Sequence, residues 1–294
     1  MCITFFDWQP NATAVGAGYK LVLAANRDED YARPSSRAAW WDAHPRVLGG
    51  TDLQPGRAPY GTWLAATKTG RVGVLTNYRQ PPGLIRADAA GRGQLVTDFV
   101  TGAKTARACA DAVAAAGGDF NGFNLLLIDV GTGEAVCVTN MEGKPVVTIA
   151  PGIHGLSNQT LDDPWPKVTA GKAKLASLLA PPTAAAASSA ANHPASGSGL
   201  GVAPEQLAET LIVELMSDPT RHPDEALPRT GCGVELERNL SSTFVSWPDR
   251  GYGTRAQTVV LIDVHNRCTF VERAMDAPPA GWSRRSFSFQ MAAE

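Results

Sequence analysis

The 294-residue chain is 44% hydrophobic and 18% charged, an ordinary globular composition long enough to bury a sizeable core in one domain or two. Its net charge of −2, with Lys and Arg scattered, excludes the electrostatic footprint of a DNA, RNA or anionic-membrane binder. No run of 18 apolar residues occurs, which excludes a spanning helix, and Asp7 and Gln9 interrupt the start too early for a secretory signal.

The chain opens Met1-Cys2. Initiator methionine is normally trimmed before a small residue. Cys2 would then be the mature N-terminus, its thiol beside a free α-amine of pKa about 7.7–8.0. The same letters also read as the start of a buried strand. "CITFFDW", "YKLVLAAN", "TWLAATK" and "RVGVLTNY" are predicted strands, the last two forming a hairpin at Thr69-Gly70. A helical stretch follows from about Gly93 to Ala116, split near Gly102, with Leu95/Phe99 and Val96/Val100 at i, i+4. Strands resume in "GFNLLLIDV", "EAVCVTN" and "PVVTIAPG", leading to "HGLSN", before a helix from about Trp165 to Leu179.

Between Lys174 and Glu205 the chain has no Lys, Arg, Asp or Glu. Residues 181–203, rich in Ala, Ser, Gly and Pro, read as a flexible insertion within a single domain spanning 1–294. The "GSGLG" inside it mimics a phosphate loop but neither follows a strand nor precedes a lysine. After the helix "PEQLAETLIVELMS" comes a loop to about Leu240, then the strands "STFVSW", "RAQTVVLIDV", "CTFVERA" and "RRSFSFQM". Strands first and last, with two helical blocks between, predict an α+β fold built on antiparallel sheets.

Cys2, Cys109, Cys137, Cys232 and Cys268 are odd in number and widely spaced, with no C-x-x-C pair. They read as free thiols in a reducing, cytoplasmic setting. The five histidines never pair at i, i+4 and three precede proline, so neither a metal nor a cofactor is expected. Several polar residues sit instead where strands should end, the positions from which a rigid scaffold presents chemistry. Asn26-Arg27-Asp28-Glu29 follow "LVLAA", Asn77 closes "VGVLT", Asn158 closes "HGLS", and Arg255 opens "RAQTVVLIDV". Each has a structural explanation too: Asn caps turns, Arg27 pairs with Asp28 or Glu29, and Arg255 is solvated.

Taken in order, "MCITFF", "LAANRDE" with "RP" after it, "GGT", "GTWLA", "LTNY", "GRG", "FNLLL", "GLSN" and "GYGTRAQTVVLID" resemble the NRDE protein family, the homologues of transport and Golgi organization protein 2. The likeness covers essentially the whole chain, with the low-complexity insertion as the main departure. It implies an N-terminal nucleophile hydrolase-like fold, a four-layer αββα sandwich. Within that superfamily the pattern is similar to cysteine amidases that cleave bile-salt conjugates and penicillin V. By that resemblance Cys2 is the nucleophile and its own α-amine the base, Arg27 the nearby cation and Arg255 a second cation. Asn77 and Asn158 would position the oxyanion or amine. A cation lowers a thiol pKa from about 8.5 toward neutrality, and losing one oxyanion donor costs roughly 2.7–4 kcal/mol. All these side chains should share one pocket of roughly 300–1,000 Å³, with the other cysteines behaving as small buried hydrophobes.

One departure concerns the acid. The amidases carry it three positions after the arginine, where Asp30 stands here, whereas the NRDE signature places Asp28 immediately after. Alternation along a strand sets both aspartates on the face opposite Arg27. Only a turn or bulge after Asn26 would bring either one beside it.

Three functions stay open: an amide or thioester hydrolase acting through Cys2, a haem or acyl-CoA/lipid carrier or chaperone using the same pocket, and a protein-interaction scaffold. The last leaves the reactive-looking start unexplained. For haem, His44, His154, His222 and His265 are the available axial ligands, without a Cys-Pro or C-x-x-C-H context. For acyl-CoA, Arg27, Arg255 and Arg284-Arg285 are available to phosphates.

Overall fold

Alternation along the first two strands divides the molecule into layers. In β1 (Cys2–Trp8) Phe6 and Trp8 enter one core while Ile3 and Phe5 enter another. In β2 (Tyr19–Asp30) Leu21, Leu23 and Ala25 oppose Val22 and Ala24 in the same way. Strands apolar on both faces must be covered on both faces. The structure, a computed structural model, describes residues 2–13, 18–55, 61–141, 146–180 and 202–292.

Two antiparallel sheets result. One runs in chain order through β3 (Ala39–Trp41), β4 (His44–Gly49), β5 (Leu64–Thr67), β6 (Arg71–Asn77), β7 (Phe123–Asp129), β8 (Glu134–Thr139) and β9 (Val147–Thr148). The other has β10 (Gly152–Leu156) beside β1, then β2, β12 (Tyr252–Asp263), β13 (Arg267–Ala277) and β14 (Ala280–Gln290). The two-residue β11 (Ser246–Trp247) pairs with β12. Between the sheets lies a core of Phe6, Trp8, Leu64, Val74, Leu126 and Phe270. Helices α1 (Gly93–Thr101) and α2 (Ala106–Ala115) cover the outer face of the first sheet, packing Phe99 and Val113 against Leu125 and Val136. The second is covered by α3 (Pro166–Leu179) and by α4 (Pro204–Thr210), which continues as a π-helical segment, Leu211–Met216. The order helix, sheet, sheet, helix is the expected four-layer αββα sandwich. A short α5 (Val234–Asn239) stands apart from these layers in the chain between them and β11.

The helical stretch breaks at Gly102 as predicted. Its N–H bonds the Asp98 carbonyl, and a Cβ there would stand 2.5 Å from that oxygen. Strands β3 and β4 were not expected: a three-residue edge strand and a partner beginning with exposed His44, Pro45 and Arg46 carry no alternation to read. "STFVSW" shortens to β11 because Ser242 and Thr254 hydroxyls take over its backbone groups. Of the proposed 181–203 insertion, all but Val202 and Ala203 lies outside the described residues. Among the described residues no helix is long and apolar enough to cross a membrane.

Candidate active site

Cys2 and Arg27 are direct partners in the β1–β2 register, so both side chains stand on the face turned toward the other sheet. There they line a cavity of about 300 Å³, together with Asp28, Glu29, Arg33, Asp52, Trp63, Asn77, Arg92 and Gln94. Arg27 is buried with its guanidinium 4.3 Å above the Trp63 ring, and its Nη1 donates to Ser35 Oγ at 3.4 Å. No carboxylate among the described residues lies within ion-pair distance of Arg27. Arg33, in contrast, is clamped by both Asp52 oxygens, its Nε donating to Oδ1 at 3.1 Å and its Nη2 to Oδ2 at 2.6 Å, with Glu29 3.7 Å away.

The one irregularity here lies on the neighbouring strand, not after Asn26. Thr254 opposes Asp28 and Ala256 opposes Arg27, so Arg255 is the extra residue of β12 while β2 runs regularly to Asp30. Neither aspartate is therefore brought beside Arg27. Asp28 is buried, accepts from Thr254 Oγ1 at 2.7 Å, and is pushed above the usual carboxylate range by burial. Asp30 is exposed. The acid on Arg27's own face is Glu29, two residues on. Burial pushes its carboxyl up, but Arg27, Arg33 and the Asp30 N–H counteract this and hold it below its ordinary value. Counting i, i+2 from Arg27 would have found it.

Asn77 ends β6 on the cavity wall. Asn158 does not line the cavity. It is fully buried, and its Nδ2 donates to the Asn77 carbonyl at 2.8 Å while its Oδ1 accepts from Ser157 and Arg79. Arg255 also stands behind the wall, where Nη1 donates to the carbonyls of Asp30 and Arg33 and braces the turn that carries Arg33. Of the six sequence candidates, Cys2, Arg27, Asp28 and Asn77 meet at the cavity, and Asn158 and Arg255 hold its walls.

The Cys2 thiol departs from expectation. Burial pushes its pKa up and the Asp28 carboxylate adds to the rise, while the charge of the chain's N-terminal amine, then the Asp28 N–H on the sulfur and the Arg27 charge, only partly offset it. Cys109, Cys137 and Cys268 are buried as predicted, with Cys137 pushed up to about 12 by burial. Cys232 is only half-buried and touches the Gln80 carbonyl at 3.2 Å, so it does not behave as a core hydrophobe. His154 has both ring nitrogens engaged, by Asp162 at 2.7 Å and the Ala150 carbonyl at 2.9 Å, while His44 and His265 are exposed.

Two antiparallel sheets between helical layers, with a cysteine at the head of β1 facing a polar cavity, define a four-layer αββα sandwich. The chain belongs to the Transport and Golgi organisation 2 family, whose model matches residues 1–277. It is 35% identical over 300 residues to the Transport and Golgi organization protein 2 homolog of Bos taurus, covering 99% of both chains. The Homo sapiens homolog is also 35% identical, over 298 residues and 99% of both. Among solved structures, a mutant of conjugated bile acid hydrolase from Clostridium perfringens aligns with 100% of this chain and 98% of its own, at 9% identity and a TM-score of 0.41.

Proposed function

We propose that the chain hydrolyses an amide or thioester by acyl transfer through Cys2, once Met1 is removed. The observation that carries this is the placement of Cys2 opposite Arg27 on the floor of the inter-sheet cavity, with Asn77 on its wall. The thiolate attacks the acyl carbon, the new α-amine takes the thiol proton and returns it to the leaving group, and water then cleaves the thioester. Arg27, fixed flat on Trp63, offers its edge donors to the developing oxyanion, and Asn77 lies within the same cavity. Asp28 contributes its backbone N–H to the sulfur. Asn158 and Arg255 act on the walls, by holding Asn77 and the Arg33 turn.

A second reading, a non-catalytic carrier in the same cavity, is favoured by the raised thiol pKa. Of the two cargoes an acyl thioester suits the site better than haem, because no histidine is among the described residues lining it. Intact mass measurement on protein from cells with normal processing tests the first step, and retention of Met1 would defeat the hydrolase reading. Cys2→Ala should abolish turnover of small amides or thioesters with the fold intact. A carrier would retain its cargo in that variant and show no turnover in the wild type.

A further inference from the structure

Arg27 carries a charge that no carboxylate among the described residues answers. It is 4% exposed, its guanidinium lies on Trp63, and one Nη1 donor reaches Ser35 Oγ at 3.4 Å. A guanidinium has five N–H donors in a planar fork, so four remain, more than a developing oxyanion uses by itself. The acids lining the same cavity are committed elsewhere. Arg33 holds Asp52 by bonds of 3.1 Å and 2.6 Å and stands 3.7 Å from Glu29, while Asp28 accepts from Thr254 Oγ1. Burying a cation with open donors and no anion is costly, and a ligand that brings the anion recovers that cost.

A second part of the lining has the same preference. Arg92, Gly93 and Gln94 set the start of α1 against the cavity. No side chain caps this helix and its first turn holds no acid, so its first backbone N–H groups and the positive end of its dipole face an uncompensated space. Arg92 adds a cation whose Nη1 meets only a neutral acceptor, the Gly122 carbonyl, at 2.7 Å. We propose that the cavity takes a small amide or thioester bearing a carboxylate, gripped by the open fork of Arg27 and the N–H groups of Gly93 and Gln94. This rests on the reading of Cys2 as the nucleophile and adds the class of substrate. A carboxylate is the anion whose two oxygens match a planar fork. The volume of about 300 Å³, at the lower end of ligand pockets, limits the occupant to a small molecule.

The test is calorimetric binding to the Cys2→Ala protein, where no acyl transfer intrudes, of N-acetylglycine and its uncharged match N-acetylglycinamide. The acid should bind about ten- to a hundred-fold more tightly than the amide. Adding Arg27→Met should remove that preference. Adding Gln94→Glu instead puts a competing carboxylate in the first turn of α1, where the helix tolerates one, and should weaken the acid about three- to ten-fold while leaving the amide unchanged. This second variant decides by itself if Arg27→Met fails to fold. Equal affinities for the two probes, or a preference that either folded variant leaves intact, would overturn the proposal. Turnover of amides by the wild type is read separately. Its absence with the acid preference kept would defeat the hydrolase reading and not this subsite, and turnover without the preference would do the reverse.

Discussion

Arg79 stands two residues beyond Asn77, and Arg79→Met asks how much of the cavity wall it carries. Its side chain and that of its partner Glu237 are each 4% exposed. Its backbone N–H donates to the Asn158 carbonyl at 2.7 Å and its Nη2 to Asn158 Oδ1 at 3.4 Å. Methionine keeps most of the volume but strands the Glu237 carboxylate, which retains Thr230 Oγ1 as a donor. Removing one partner of a buried ion pair costs about 3–5 kcal/mol, whereas replacing both by apolar side chains is near neutral. An unfolding entropy of about 2.1 cal/mol/K per residue gives this 294-residue chain about 0.6 kcal/mol/K. Arg79→Met should therefore lower Tm by roughly 5–8 °C. Urea denaturation of wild type, Arg79→Met, Glu237→Met and the double variant should show the double variant recovering most of the loss. An additive cycle, or a cost below ~1 kcal/mol for Arg79→Met, would refute the account.

A Cβ at Gly50 would stand 2.5 Å from the Trp63 ring and 2.9 Å from the Ser36 carbonyl. Gly50→Ala should therefore push Trp63 off Arg27, cost about 1–3 kcal/mol and change the tryptophan fluorescence, an outcome checked by denaturation and emission spectra. Asp162, bonded by His154, Lys172 and the Gly155 N–H, is held down to about 2, so its stabilisation is present above pH ~4 and lost as pH falls toward 2. After discounting for its partial exposure that is about 1 kcal/mol, and Tm measured from pH 2 to 5 should lose this acid limb in Asp162→Asn. His154 has the opposite sign: its pKa is raised by the same bond, so its contribution is full below pH ~6.5 and fades above, and Asp162→Asn should remove that slope as well. Buried Glu272 is pushed up to about 7 by burial, against the Ala38 N–H at 2.6 Å. It favours the fold below pH ~4.5 and costs stability as pH rises through 7, so Glu272→Gln should flatten a Tm-versus-pH curve in that window.

The layers were legible because β1, β2, β7 and β12 are apolar on both faces, and only a sandwich covers such strands. The cavity floor was legible because the polar run at 26–29 replaces the apolar alternation in the last third of β2. Its walls were not. Asp52 lies on a segment whose sequence announces neither strand nor helix, and although Trp63 stands in the predicted strand "TWLAATK", its own letters do not tell that it meets Arg27, a contact made only when the two sheets pack. The glycines of "GTWLA" and "GRG" have a meaning visible only in three dimensions. A Cβ on Gly61 would stand 2.6 Å from Gly93, so these two loops close the cavity by touching backbone to backbone. The bulge at Arg255 was equally hidden, because a one-residue slip on β12 depends on its partner and not on its own composition.

The electrostatics of Cys2 narrow what must activate it. The chain's N-terminal amine is the strongest influence lowering the thiol pKa; Arg27, the cation that the family pattern nominates, comes after it and after the Asp28 N–H, and the Asp28 carboxylate works against all three. Arg27 spends one face of its guanidinium on Trp63 and its Nη1 on Ser35 Oγ, and a planar fork held this way suits a ligand oxygen more than a sulfur. An amine at the chain's start is therefore the group best placed to oppose burial. An α-ammonium created at Cys2 itself is the closest possible source, and it would titrate with the thiol as one coupled pair near neutrality. On the proposed hydrolase reading, processing would place that amine on Cys2 itself and leave Arg27 to meet the substrate.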